Sequence, residues 1–232
     1  QQPFQQPFQQ PFQQQAQGQF QHTPMPRYAI GSPWDKLGEL NFKQVVLICV
    51  GVSIFSIVVK MIASGAASNV FGLISTLSNS MIFLMFGAKL LPYIKDNSKV
   101  AILLLAGVGV FILTTLIGMF ISVDLGNVVS TIRLLGVLSL VGYGVIAAAL
   151  LMIVFSLKHF DLRTVIMLYG IGYAIMAVGS LFLFGGSLGA WGTYGIFAGI
   201  GGIIVLVGLI MLLVKVLSSK PIEDPYSLPF DK

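Results

Sequence analysis

Apolar stretches of about 20 residues alternate with short polar or glycine-rich breaks between residues 44 and 217. A helix needs about 20 residues to cross the roughly 30 Å of hydrocarbon in a bilayer. The pattern therefore predicts six spans, covering residues 44–63, 70–91, 100–121, 134–157, 164–184 and 194–217. Nothing in this region alternates between apolar and polar side chains as the strands of a transmembrane barrel do. We therefore predict an all-α fold, a polytopic membrane helix bundle.

Polar tails flank the predicted bundle. Residues 1–43 are rich in Gln, Pro and Phe and are predicted to form a disordered tail, because they bury too little apolar surface to offset the entropy of ordering. The chain opens on three copies of QQPF, a unit that resembles the repeats of cereal storage prolamins over about 15 residues of low complexity. Residues 218–232 contain three prolines and are predicted to leave the membrane as an extended tail.

The distribution of lysine and arginine predicts the orientation of the bundle. Of the 13 basic residues, only Lys60 and Arg133 fall on the side opposite the two termini when six spans are assigned. Basic residues near span ends are retained in the cytoplasm, so this partition predicts that both termini are cytoplasmic. These residues lie singly at the ends of apolar stretches, so the net charge of +5 is typical of topology signals and predicts no nucleic-acid partner.

The amino-acid composition indicates the class of protein to which the chain belongs. The chain is 56% hydrophobic and only 9% charged, with a mean hydropathy of +0.92, whereas a soluble domain is about 25% charged. These values exclude a soluble fold and predict one membrane domain with two tails, for which the lipid bilayer is the first partner. Gln- and Pro-rich tails ahead of a few spans resemble those of many bacterial membrane proteins, so we expect the plasma membrane of a bacterium or archaeon.

The residues that would carry catalysis are missing from the predicted spans. The two histidines, His22 and His159, lie in the tail and in a connection, and no Asp or Glu falls within a span. Haem needs axial ligands inside the bundle, a metal ion needs a cluster of ligands, and a nucleophile needs a neighbouring base. We therefore predict no catalytic, cofactor-binding or metal-binding residues and no enzymatic activity. The single cysteine, Cys49, is expected only to pack.

The second span carries the most organised polarity. Gly72, Ser75, Thr76 and Asn79 recur at spacings of three and four residues and therefore share one helical face. Small and hydroxylated residues of this kind allow helices to approach closely and to form hydrogen bonds across their contact. The face is therefore interpreted as a packing seam, with a polar path for an ion or solute as the alternative.

Glycine pairs indicate candidate helix contacts. Gly185 and Gly189, and again Gly195 and Gly199, stand in the GxxxG spacing that removes bulk between helices. We expect Gly195 and Gly199 to mark a close contact, either within the chain or with another subunit.

Three charged residues are predicted near the outer ends of the spans. Lys60 and Arg133 can extend to the outer interface, and Asp124 on the same side can pair with either of them. The alternative is an outward-facing vestibule for ions.

These features lead to two function hypotheses. The first is a non-enzymatic structural or accessory subunit of a membrane complex, with other proteins or further copies of this chain as partners. The alternative is a small channel or transporter for an ion or small solute, with the polar face of the second span along its path. An enzyme acting on lipid headgroups has the least support, because no acid and base are paired.

Overall fold

The computed structural model describes residues 27–31, 33–62, 65–120, 128–157, 160–185 and 188–218. Within these residues the chain forms seven α-helices and two short 3-10 helices, and it forms no strand. The α-helices are α1 (Trp34–Gly38), α2 (Phe42–Ile62), α3 (Gly65–Leu90), α4 (Asn97–Phe120), α5 (Val128–Ser156), α6 (Arg163–Ser180) and α7 (Leu188–Ser218). The 3-10 helices, Leu91–Tyr93 and Leu181–Gly185, extend α3 and α6.

The six long helices confirm the predicted number of apolar spans. Each of α2 to α7 is long and apolar enough to cross a bilayer. Two of them begin about two turns earlier than predicted: α5 begins at Val128 instead of residue 134, and α7 begins at Leu188 instead of residue 194. Hydropathy marks only the continuous apolar part of a helix, whereas the helical backbone hydrogen bonds continue through the polar and glycine-rich residues before it. The 31 residues of α7 make a helix about 46 Å long.

Consecutive long helices pack side by side, and α2 also packs against α7. The ring pairs Phe42–Phe86 and Phe55–Phe71 show that α2 and α3 run antiparallel. Across the bundle, α3 meets α6 through the edge-to-face rings of Phe83 and Tyr169, whose centroids are 5.5 Å apart. The core therefore lies between α3 and α6 and is surrounded by the other long helices.

The prediction of a disordered tail over residues 1–43 is wrong for its last part. The backbone N–H of Tyr28 donates to the carbonyl of Pro92 at 2.7 Å, and the Asn97 side chain donates to the carbonyl of Ala29 at 3.3 Å. Gly31 has a φ of +82° and turns the chain into α1, where Trp34 is buried. Apolar side chains spaced among polar residues here bury one face against the bundle. Residues 1–26 and 219–232 lie outside the described residues.

Glycines bring α6 close to its two neighbours. A Cβ at Gly172 would lie 2.9 Å from the Gly201 carbonyl oxygen on α7, and one at Gly179 would lie 2.5 Å from Cβ of Phe197. On the other side, a Cβ at Gly170 would lie 2.9 Å from a Leu151 methyl group on α5. The helix faces that lack side-chain bulk therefore set the spacing of α5, α6 and α7.

Candidate functional site

The polar face predicted on the second span lies on α3 and faces partly into the bundle. Thr76 and Asn79 are buried, whereas Ser75 and Gly72 are half-buried. The hydroxyls of Thr76 and of Thr115 on α4 are 3.1 Å apart and share a hydrogen bond. The Asn79 amide donates to the Ser75 carbonyl one turn earlier at 2.9 Å. This face therefore contributes at least one hydrogen bond that joins two long helices.

Several buried oxygen atoms on α2 and α3 have no hydrogen-bond partner among the described residues. They are Oδ1 of Asn79 and Oγ of Ser80 on α3, and Oγ of Ser53 and Ser56 on α2. An unsatisfied buried polar group costs about 1–3 kcal/mol. The buried faces of α2 and α3 therefore contain hydrogen-bonding capacity that the described residues leave unused.

Six aromatic rings fill the space between α3, α4, α5 and α6, from the middle of the bundle toward the end at which α3 ends. We call this cluster the aromatic plug; its members are Phe83, Phe86, Phe111, Tyr143, Tyr169 and Tyr173. Phe83 meets Tyr173 edge to face at 5.4 Å, and Phe111 meets Tyr173 in the same way at 5.8 Å. Edge-to-face pairs of this kind add about 0.5–1.5 kcal/mol beyond the area they bury.

The aromatic plug stands at the end of the polar face. Phe83 continues the three- and four-residue spacing of Thr76 and Asn79, and it is fully buried among the other rings. The polar face of α3 therefore leads into a packed aromatic core.

The predicted interfacial charges have different surroundings. A Cβ at Gly72 would lie 3.7 Å from the ammonium of Lys60, so Lys60 of α2 lies against the glycine of the polar face. Gly72 stands seven residues after the start of α3, which is about 10 Å along the helix. Arg133 lies exposed near the start of α5, and Asp124 lies outside the described residues. The structure thus brings Lys60 to the polar face, and Lys60 forms no described contact with Arg133.

Gly195 and Gly199, which are predicted to mark a close contact, lie on a side of α7 that no other described residue approaches. A Cβ at Gly195 or at Gly199 would meet no atom of the described residues within 4 Å, and the same holds for Gly192. A Cβ at Gly185 would meet only Cβ of Ala190, at an ordinary contact distance of 3.6 Å. Gly189 is exposed at the start of α7. The close contact of α7 with α6 instead uses Gly201 and Gly208. Within the described residues, Gly195 and Gly199 therefore mark no close contact between α7 and another helix of this chain.

Sequence reasoning missed the buried tyrosines. Tyr143, Tyr169 and Tyr173 lie in the plug, and the Tyr143 side chain forms a hydrogen bond with Tyr194 of α7. The hydroxyl of Tyr169 is buried without a partner among the described residues. The sequence did contain a signal for them, because the three tyrosines fall five or more residues inside predicted spans, whereas tyrosine is enriched at the interface.

No metal-ligand cluster is found in the part of the chain that the structure describes, since no three His, Cys, Asp or Glu side chains come together there. The chemistry available in the interior of the bundle consists of hydroxyl, amide and phenol groups. No protein-family model matches the chain, and no curated protein or solved structure matches it either.

Proposed function

We propose that this chain is a non-enzymatic structural or accessory subunit of a membrane complex, and that the outer face of α7 binds a transmembrane helix of another subunit. The observation that carries the proposal is the unfilled glycine face of α7. Gly192, Gly195 and Gly199 present no side chain, and nothing within the described residues approaches them. We place the complex in the plasma membrane of a bacterium or archaeon, with both termini in the cytoplasm.

The position of these glycines on the helix supports this proposal. At about 100° per residue, Gly199 lies nearly opposite Gly201, which packs against α6. Ile196 and Ile203 flank the glycines and are each 64% exposed. Between helices in a membrane, association depends on close van der Waals packing, and glycine allows the backbones to approach. A glycine groove bordered by two isoleucines provides the shape for such packing.

The closed interior supports a scaffold in preference to an open pore. Tyr169 and Phe83 are fully buried in the aromatic plug, where their rings meet between α3 and α6. An open channel would need a continuous polar lining, whereas the polar face of α3 ends at Phe83. We therefore propose that the bundle acts through its outer surface.

The experiment compares two pairs of open glycines. The double variant Gly195→Leu/Gly199→Leu fills the α7 groove, and the control Gly109→Leu/Gly118→Leu fills two α4 positions that also have no neighbour within 4 Å. Each full chain is extracted from its native membrane in mild detergent, and the mass of the complex is measured by native mass spectrometry. We expect the α7 variant to lose the bound partner and the α4 variant to keep it. A lone monomer from the parent chain would overturn the proposal.

A small channel or carrier is the second candidate, and two observations favour it. The unpartnered oxygens of Ser53, Ser56, Asn79 and Ser80 offer sites for water or a solute, and Lys60 stands beside Gly72 on the same polar face. If a solute passes there, Thr76→Leu and Asn79→Leu should abolish flux into liposomes while the thermal unfolding of the protein remains cooperative. Unchanged flux in these variants, or no flux in the parent protein, would exclude this candidate.

A further inference from the structure

A cavity of about 320 Å³ lies at the end of the bundle where α2 begins and α3 ends. The segment before α1, α1 itself and the end of α3 enclose it. Its floor includes Trp34, Phe42, Phe86 and Leu162, each no more than 3% exposed. Its size is at the lower end of ligand pockets, which range from roughly 300 to 1,000 Å³.

The rim of the cavity carries charge. Arg27 and Lys89 contribute two cations and Asp35 contributes one carboxylate, which leaves a net charge of about +1. The Lys89 ammonium donates to the carbonyl of Gly38 at 3.1 Å. It keeps its positive charge while it donates, so it makes the rim attractive to an anion.

Arg27 is held in place on the rim. Its Nε and Nη2 atoms donate to the Tyr93 hydroxyl at 3.3 and 3.0 Å, and its guanidinium carbon lies 5.5 Å from the centroid of the same ring. The guanidinium has five N–H donors in a fixed plane, so these two bonds orient the group and leave donors for a ligand. Arginine in such a setting binds the oxygens of a phosphate with two parallel hydrogen bonds.

We propose that this cavity binds the phosphate of an anionic phospholipid, with the Arg27 guanidinium on the phosphate oxygens, the positive charge of Lys89 on the same rim, and the apolar floor against the first part of an acyl chain. A phosphodiester carries one negative charge and thus matches the net charge of the rim. Basic pockets between transmembrane helices bind lipid headgroups in this way. The apolar floor favours a lipid over free phosphate, although both present the same oxygens.

The test uses Trp34 as a reporter inside the cavity. The chain has two tryptophans, so Trp191→Phe leaves Trp34 alone to fluoresce. The full chain is placed in nanodiscs of phosphatidylcholine with a minor fraction of brominated phosphatidylglycerol, and in the converse mixture, in which phosphatidylcholine is the brominated minor lipid. We expect phosphatidylglycerol to quench Trp34 strongly and phosphatidylcholine weakly at the same fraction.

The matched variants are Arg27→Gln and Lys95→Gln. Lys95 is exposed at the same end of the bundle and does not line the cavity. Loss of one charge-assisted bond should lower the affinity for phosphatidylglycerol about tenfold or more in Arg27→Gln, measured from the lipid fraction that gives half-maximal quenching of Trp34, and Lys95→Gln should keep the parent affinity. Tyr93→Phe keeps both cations but removes the oxygen that orients Arg27. Its loss of affinity for phosphatidylglycerol should therefore lie between those of Arg27→Gln and Lys95→Gln. Thermal unfolding of each variant, followed by circular dichroism, identifies any variant that does not fold.

Three results would overturn the proposal. Equal quenching by the two lipids in the parent chain would exclude a specific site. An equal loss in Arg27→Gln and Lys95→Gln would show that the surface charge of this end acts without the cavity. If inorganic phosphate, at a concentration comparable to that of the lipid, released the quenching lipid, the cavity would bind free phosphate, and the lipid would be excluded as its ligand.

Discussion

The indole ring of Trp34 lies against the backbone of α3 at Gly87. A Cβ at residue 87 would come within 2.5 Å of Cζ3 of Trp34 and 2.7 Å of a Leu104 methyl group. Glycine at this position thus allows α1 to dock on the bundle, because any side chain would occupy the place of the ring.

The first prediction concerns this docking. Gly87→Ala should displace the Trp34 ring and destabilise the protein by about 1–3 kcal/mol, which is the usual cost of overpacking a filled core. In a Trp191→Phe background, the emission of Trp34 should shift to longer wavelength as the ring moves toward water. Gly51→Ala is the control, because a Cβ there meets no atom within 4 Å. An unshifted spectrum in Gly87→Ala would contradict the packing described.

The second prediction separates the two glycine faces of α7 and α6. Gly172→Ala should destabilise the fold by about 1–3 kcal/mol, because the new methyl group would meet the Gly201 carbonyl oxygen at 2.9 Å and a Val205 methyl at 2.7 Å. Gly199→Ala should leave the free energy of unfolding of the isolated chain unchanged. Unfolding in mixed detergent micelles measures both. Equal effects of the two substitutions would mean that α7 is rotated from the orientation described.

The third prediction concerns the hydrogen bond between α3 and α4. Thr76→Val and Thr115→Val should each cost about 0.5–1 kcal/mol, because hydrogen bonds between helices in a membrane contribute little more than those in water. Thr115 also donates to the Phe111 carbonyl at 3.0 Å, so its hydroxyl keeps one partner when Thr76 is replaced. A double-mutant cycle isolates the pair, and a coupling energy of zero would show that the two hydroxyls do not interact.

The fourth prediction distinguishes the ring of Tyr169 from its hydroxyl. Tyr169→Phe should be neutral or stabilising, since the buried hydroxyl has no partner among the described residues and its removal relieves a desolvation cost. Tyr169→Ala should cost about 3–5 kcal/mol through the cavity it leaves. The free energy of unfolding in detergent checks both. A marked loss in Tyr169→Phe would show that the hydroxyl is satisfied by water or a solute, which would favour the carrier hypothesis.

The number of long helices was predictable from sequence because span length follows directly from bilayer thickness. The first residues of α5 and α7 were not predictable in this way. Val128 and Leu188 begin helical turns that precede the continuous apolar part of each span. Trp34 and α1 were assigned to a polar tail. The buried Trp34 ring and the hydrogen bond from Lys89 to Gly38 attach these five helical residues to the bundle, and composition averaged over 43 residues hides them.

The candidate site was predictable only in part. Spacing placed Thr76 and Asn79 on one face, and both are buried. Spacing groups residues on one face of a helix but does not show what that face contacts. The sequence therefore identified the GxxxG pair Gly195 and Gly199 but not which helix, if any, lies against it. The tyrosines of the aromatic plug come together from α5 and α6, and only the packing of these helices brings Tyr143 near Tyr173.

Photo-crosslinking in native membranes tests the proposed role of the α7 face most directly. A benzophenone amino acid replaces Ile196, which borders the glycine groove and is 64% exposed, or Ile102 on α4, which is 66% exposed. Because the two positions are nearly equally exposed, we expect a protein adduct from position 196 and only lipid adducts from position 102. Lipid adducts alone from both positions, or equal protein adducts from both, would contradict the proposed role.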